Sequence, residues 1–219
     1  MKRKIEFKKL VDLKTVIVIL FVFVCMAVFS FLPTKDTFQE VVLGFFALLI
    51  LPLFFIKMVL KEKVCNFGFQ IKSWKGGFWF LPLSFLVAAL AGYVVFEYTS
   101  FKDNYFLGNF SFTKDFWYLF TYEFLVVNFF VLLYEVFFRG FVMFYFDKKF
   151  GANSIFIQFL FFIFFLFVLG KLDLNNIFYI VTSFLAGMIA YKSRSLVYSY
   201  FFSIITLIVA DIIYLKLTR

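Results

Sequence analysis

The sequence predicts an all-α, polytopic transmembrane helix bundle of about seven spans, and three observations carry that prediction. The 219-residue chain is 64% hydrophobic and 26% aromatic, where a soluble domain is only about half apolar. Its charged fraction is 16%, against about a quarter in soluble domains, and those charges fall between long apolar runs. The runs themselves reach or approach the roughly 20 residues that a spanning helix needs. Lipid tails accept Phe, Leu, Ile and Val without the polar covering that water demands, so a bilayer is the solvent this composition fits.

Seven segments qualify or come close. Thr15–Leu32 follows a basic stretch, residues 1–14 (MKRKIEFKKLVDLK), and ends at Leu32-Pro33. A cleaved signal peptide would have a shorter apolar stretch and a small-residue cleavage site, so this is read as a retained first helix. Glu40–Leu60 and Phe78–Tyr98 are the second and third. Phe116–Phe146 runs for 31 residues, roughly 46 Å at the helical rise. That exceeds the ~30 Å hydrocarbon core, so the segment must tilt, project or break. Asn153–Gly170 contains the phenylalanine-rich run Phe159–Phe167, which suits lipid contact or ordinary packing. Asn176–Tyr191 is short, and its Gly187 points to close helix approach. Leu196–Leu215 is the last, and an eighth span would flip only the segments after it. The polar stretches Lys61–Gly77 and Thr99–Asp115 are too short for an independent core, and no solenoid repeat is visible. Residues 1–219 therefore read as a single transmembrane domain.

The net charge of +9 raises the question of nucleic acid, but its placement points elsewhere. Placing the N-terminus inside puts fifteen of the 22 Lys and Arg in inner segments and six in outer ones, with Arg139 at membrane depth. That bias predicts a multi-pass protein with its N-terminus in the cytoplasm, and basic loops meet anionic headgroups favourably. The expected partners are membrane lipids, with no nucleic acid. Cys25 lies inside the first apolar run and Cys65 in a basic loop, so no disulfide joins them. The chain has no His.

Ionisable groups inside a bilayer cost about 2.5–3.5 kcal/mol each at the helix centre and so mark candidate sites. Glu123, Glu135, Arg139 and Asp211 stand out, with Asn128 and Gln158 as polar companions. Glu135 and Arg139 are four apart, one turn along one face, with the acid N-terminal, the better order for an ion pair. Asn128 is seven residues before Glu135 and returns to the same face. The three form a polar stripe pointing into the bundle, either a salt bridge that locks packing or a functional centre. Glu123 faces about 120° away and reads as interfacial. Asp211 lies near the end of the last helix, within reach of Lys216. No phosphate loop, dinucleotide fingerprint or nucleophile elbow is present. His-dependent metal motifs are excluded, and two cysteines are too few for a thiolate site.

The run Tyr134–Gly140, YEVFFRG, resembles the EExxFRG signature of the CPBP family, the CAAX-protease and bacteriocin-processing intramembrane enzymes. Phe67–Gln70, FGFQ, is similar to the family's loop before its next span. Ser183–Ser203, SFLAGMIAYKSRSLVYSYFFS, resembles its penultimate helix, short turn and the start of its last helix. The resemblance covers about residues 40–215. It implies an intramembrane endopeptidase in which two Glu, an Arg and two His-bearing motifs act together. In that scheme the first Glu and the His residues activate water, a divalent metal serving some members, and the second Glu and the Arg support the site. Here Glu135 and Arg139 match the second Glu and the Arg, while the first Glu is Tyr134. The Phe-x-x-x-His becomes Phe167 and Lys171, and the last-helix pair falls on Ser203 and Leu207. The resemblance thus assigns catalytic positions to Tyr134, Glu135 and Arg139, with Lys171 and Ser203 as further motif positions, and metal ligands to none.

Peptide hydrolysis needs a group to deprotonate water and another to stabilise the oxyanion. Tyr134, ordinarily titrating near 10, is a poor base at neutral pH, and Arg139 beside Glu135 holds that carboxylate engaged. Lys171 would snorkel at the outer edge rather than donate to an oxyanion. The expectation is therefore the family fold with impaired catalysis and no cofactor, acting by binding a membrane protein or hydrophobic peptide in a bacterial cytoplasmic membrane, with self-immunity to bacteriocins as the related role. Three other readings stay open: an active endopeptidase with a rearranged site around Glu135, a small transporter or permease subunit, and a purely structural scaffold.

Overall fold

The computed structural model describes residues 12–70, 74–98, 117, 121–173 and 176–217, without the side chains of 74–79, 122, 123 and 212–217. Most of the basic segment 1–14, the polar stretch after Tyr98 with Lys102 and Lys114, and the side chains of Glu123 and Lys216 lie outside the described residues. Among the described residues every regular element is helical and none is a strand.

Helix α1, Leu13–Phe31, begins where Asp12 accepts from the Thr15 N–H at 2.9 Å and from its hydroxyl at 2.6 Å, an N-cap that satisfies an otherwise orphaned donor. Asp36 caps α2, Thr37–Met58, in the same way through the Gln39 N–H at 2.8 Å. Within α2 the residues Phe45–Ile50 wind as a wider π turn that ends two residues before Pro52. Proline cannot donate to the carbonyl four residues back and its ring crowds that group, and a widened turn relieves both. Helix α3 is Trp74–Tyr98 with Pro82 inside it.

Helix α4, residues 122–150, is the centre of the bundle and contains two π stretches, Tyr122–Val127 and Glu135–Met143. Every residue from Glu135 to Phe146 is buried, the signature of a helix packed on all sides. After α4 the chain reverses through Gly151 (φ +55°) and the short turn Gly151–Asn153 into α5, Ser154–Val168. Ring pairs Phe146–Phe161, Phe138–Phe162 and Tyr134–Phe165 run down the resulting antiparallel hairpin. Helices α6, Ile177–Ser193, and α7, Leu196–Leu217, are joined by a two-residue turn in which Arg194 is left-handed.

The main core joins α4 (Phe137, Phe138, Phe141) to Val22 and Met26 of α1, Leu48 and Ile56 of α2, and Phe165 of α5. Smaller clusters bind α3 to α6 and α7 through Ala88, Ala186, Ile189 and Phe202, and through Val95, Phe96, Phe178 and Ala210. Large apolar side chains also cover the outside: Leu90, Leu160 and Phe167 are each about 60% exposed. Among the described residues four helical stretches are long and apolar enough to cross a membrane, namely Leu13–Phe31, Thr37–Met58, Phe80–Tyr98 and Phe124–Val168. Ile177–Ser193 and Leu196–Asp211 are shorter apolar helices. The 45-residue fourth stretch is the α4–α5 hairpin. These apolar helices are compatible with a membrane protein.

Several expected bounds move by two to four residues. Helix α3 begins at Trp74 rather than Phe78, α4 continues to Phe150 rather than Phe146, and α6 to Ser193 rather than Tyr191. Hydropathy ends where charge begins, whereas a helix continues as long as its backbone bonds are made. Lys148 and Lys149 in the last turn of α4 even favour that extension, since cations suit the negative end of the helix dipole. Cys25, buried, and Cys65, exposed, are both free.

Candidate functional site

Glu135 opens the long π stretch of α4 and is fully buried, and Arg139 is only 4% exposed. An uncompensated charge so placed would be untenable, so the interest lies in what compensates it. Arg139 Nη1 lies 3.1 Å from Glu135 Oε1. Two serines of α7 donate to the same carboxylate, Ser203 Oγ to Oε1 at 2.8 Å and Ser199 Oγ to Oε2 at 2.7 Å. On the other side, Arg139 Nη2 donates to the Ser183 carbonyl at 3.1 Å and to its hydroxyl at 3.0 Å. One ion pair on α4 therefore grips α6 with its cation and α7 with its anion. Seven residues earlier, Asn128 Oδ1 accepts from the Tyr200 hydroxyl of α7 at 2.7 Å.

Asn128, Glu135, Arg139 and Ser203 are thus brought together along the expected stripe. Tyr134 is not part of it. Its ring packs among Phe130, Phe138, Phe162 and Phe165, with centroids 5.8–6.5 Å away, so it faces α5 while Glu135 faces α7. Lys171 is exposed beyond the end of α5 and makes none of the contacts to Glu135 or Arg139. Leu207 packs beside Phe178 and Ala210. Asp211 is half-buried on α7.

Sequence reasoning missed Ser183 and Ser199. A signal existed for Ser199, because Ser199 and Ser203 are four apart and share one face of an otherwise apolar helix. Gln158 has a different place from the one its polarity suggests. It is fully buried on α5, and neither atom of its amide has a partner. It lies against Gly187, where an added Cβ would come 2.6 Å from its Nε2, and this is the close helix approach that Gly187 predicts.

The arrangement can fasten helices, but it is poorly suited to hydrolysis. A carboxylate offers about four acceptor sites; on Glu135 two accept from Ser199 and Ser203, and its charge is paired with Arg139. The divalent metal implied by the resemblance does not fit here. It would find one occupied carboxylate beside an arginine cation, and no three of His, Cys, Asp or Glu gather anywhere among the described residues. Compared with protein-family models, curated proteins and solved structures, the chain matches none.

Proposed function

We infer that the chain is a multi-pass protein of the cytoplasmic membrane, N-terminus inside, with the architecture of the CPBP intramembrane proteases but without their hydrolysis. It acts by binding a membrane protein or a hydrophobic peptide, and self-immunity to bacteriocins is the form of binding that the resemblance implies. The observation that carries this reading is the engagement of Glu135 by the Arg139 cation and by hydrogen bonds from Ser199 and Ser203. A general base must take a proton from its water, and a carboxylate paired with a buried arginine and held by two serines is stabilised in its ionised form, which weakens it as a base.

Seven spans follow if α4 and α5 count as two limbs of one hairpin. Helices α5 and α6, with 15 and 17 residues, reach roughly 22 and 25 Å, so local thinning or flanking residues make up the rest of the bilayer. The placement of the N-terminus on the same side as the other basic loops is supported by ion pairs at one end of the bundle. They join Lys149 to Asp12, Lys148 to Glu62 and Arg194 to Asp147, tying the start of α1, the α2–α3 loop, the α4–α5 turn and the α6–α7 turn together.

The test is cleavage of membrane-anchored and prenylated peptides by purified protein in lipid, with Glu135→Gln alongside. No cleavage by either folded protein is expected. Cleavage by the native protein that disappears in Glu135→Gln would overturn the reading.

A further inference from the structure

At the end of the bundle where those ion pairs gather, Asn66, Gln70, Phe144, Asp147, Lys148 and Arg194 line a cavity of about 240 Å³. That is far more than one water requires and just below the range of small-molecule sites. It is separate from the Glu135 cluster. Its lining is rich in donors: two carboxamides, an ammonium and a guanidinium supply N–H groups, while Asp147 is the one acidic side chain in the lining and Glu62 pairs with Lys148 beside it.

The walls are held rigidly. Gly68 has φ +87°, and a Cβ there would lie 2.4 Å from the Phe144 ring and 2.9 Å from Leu196, so the α2–α3 loop presses directly on α4 and α7. The Leu196 N–H donates to the Gly68 carbonyl at 3.0 Å. Arg194 keeps a left-handed backbone, φ +55°, which is uncommon for a residue with a side chain. Its guanidinium lies 4.8 Å from the Tyr191 ring centre and pairs with Asp147. Lys148 sits 4.8 Å from the Phe67 ring centre and pairs with Glu62. Each cation is thus positioned by one ring and one carboxylate, yet a guanidinium has five N–H donors and an ammonium three. Most of that donor capacity remains for a ligand.

We propose that this cavity binds a phosphate group, supplied by a phospholipid headgroup that carries a donor of its own, as phosphoglycerol does. The phosphoryl oxygens accept from Lys148, Arg194 and the two carboxamides in charge-assisted bonds, roughly twice as strong as neutral ones. Asp147 accepts the headgroup hydroxyl and disfavours a doubly charged phosphomonoester through like-charge repulsion. The Phe144 ring flanks the carbon chain. The lipid source rests on the membrane reading above, whereas the phosphate chemistry does not.

The experiment uses the full chain in neutral detergent, stripped of lipid. Phosphatidylglycerol is titrated in one arm and inorganic phosphate in the other, with bound lipid read by native mass spectrometry and bound ion by calorimetry. The variants are Lys148→Gln, Arg194→Asn (asparagine tolerates the left-handed backbone), and Lys192→Gln as an exposed cation of the same end outside the cavity. The expected result is phosphatidylglycerol binding weakened about tenfold in each cavity variant, the scale of one lost charge-assisted bond, with Lys192→Gln unchanged. Equally tight binding of inorganic phosphate, lost in the same variants, supports the site and assigns it to the free ion. No binding in either arm, or equal losses in all three variants, overturns it, the latter because diffuse attraction would then suffice. Gln70→Leu removes a donor and no charge, so it keeps the test decisive if a charge variant misfolds: unchanged lipid binding there also overturns the site.

Discussion

Removing Glu135 alone should be far more damaging than removing it together with Arg139. In Glu135→Ala the guanidinium stays buried, 4% exposed, with its Ser183 contacts but no counter-ion. Stranding one partner of a buried pair costs about 3–5 kcal/mol. Replacing both by Met removes the two desolvation penalties at once, and such exchanges run from neutral to about 1–4 kcal/mol stabilising. Ser199 keeps a partner in that variant, because its Oγ also reaches the Leu196 carbonyl at 3.1 Å, while half-buried Ser203 gives up its bond to the carboxylate. Ser199→Ala and Ser203→Ala each remove one bond to the carboxylate and should cost about 0.6–1.7 kcal/mol, the range measured for hydrogen bonds between membrane helices. The assay is reversible unfolding in mixed micelles, followed by loss of helical signal against denaturing detergent. The reasoning fails if Glu135→Ala lies within about 0.5 kcal/mol of the native protein, the ordinary scatter of surface changes. It fails equally if the double Met variant is as unstable as Glu135→Ala.

Three further outcomes follow from the same geometry. Gly187→Ala drives a methyl against Gln158 Nε2 and should cost about 1–3 kcal/mol as overpacking, a loss that Gln158→Ala in the same chain largely cancels in a double-mutant cycle. The Lys149 hydrogen bond, with those from Thr15, holds Asp12 well below the usual carboxylate range, so its contribution is complete above the unfolded value near 4 and is lost as pH falls below it. The melting-point advantage of the native protein over Asp12→Asn should therefore be full at pH 7 and shrink steadily below about pH 4. Tyr134→Glu, which completes the two-glutamate motif, should lower stability by about 2.5–3.5 kcal/mol and yield no peptide cleavage, because the new carboxylate enters the ring cluster on the α5 side rather than joining Glu135.

Much of this was legible in the residues. The stripe of Asn128, Glu135 and Arg139 could be read because charges are so costly in an apolar run that they must share a buried face. Gly187 could be read because a small residue in a short apolar helix has few other reasons to be there. Ser183 and Ser199 were harder, since a helical hydroxyl has a default partner in its own backbone. Thr182 and Thr206 do bond back to the Phe178 and Phe202 carbonyls, at 3.0 and 2.7 Å, and nothing in sequence separates them from Ser183, which meets Arg139 instead. Tyr134 misled for a related reason. Motif adjacency makes it a neighbour of Glu135 in the string, but consecutive residues on a helix never face each other.

The reach of two long side chains explains how one ion pair can fasten two different helices. Residues four apart on a helix share a face to within about 40°, so Glu135 and Arg139 start from one face of α4. The glutamate extends toward Ser199 and Ser203 of α7 and the arginine toward Ser183 of α6, while their charged ends meet at 3.1 Å. Helices α6 and α7 are joined by a two-residue turn, so one face of α4 can address both. A periodicity of 100° per residue finds the pair and its face, whereas the serines that complete the three-helix clamp depend on which helices pack against that face.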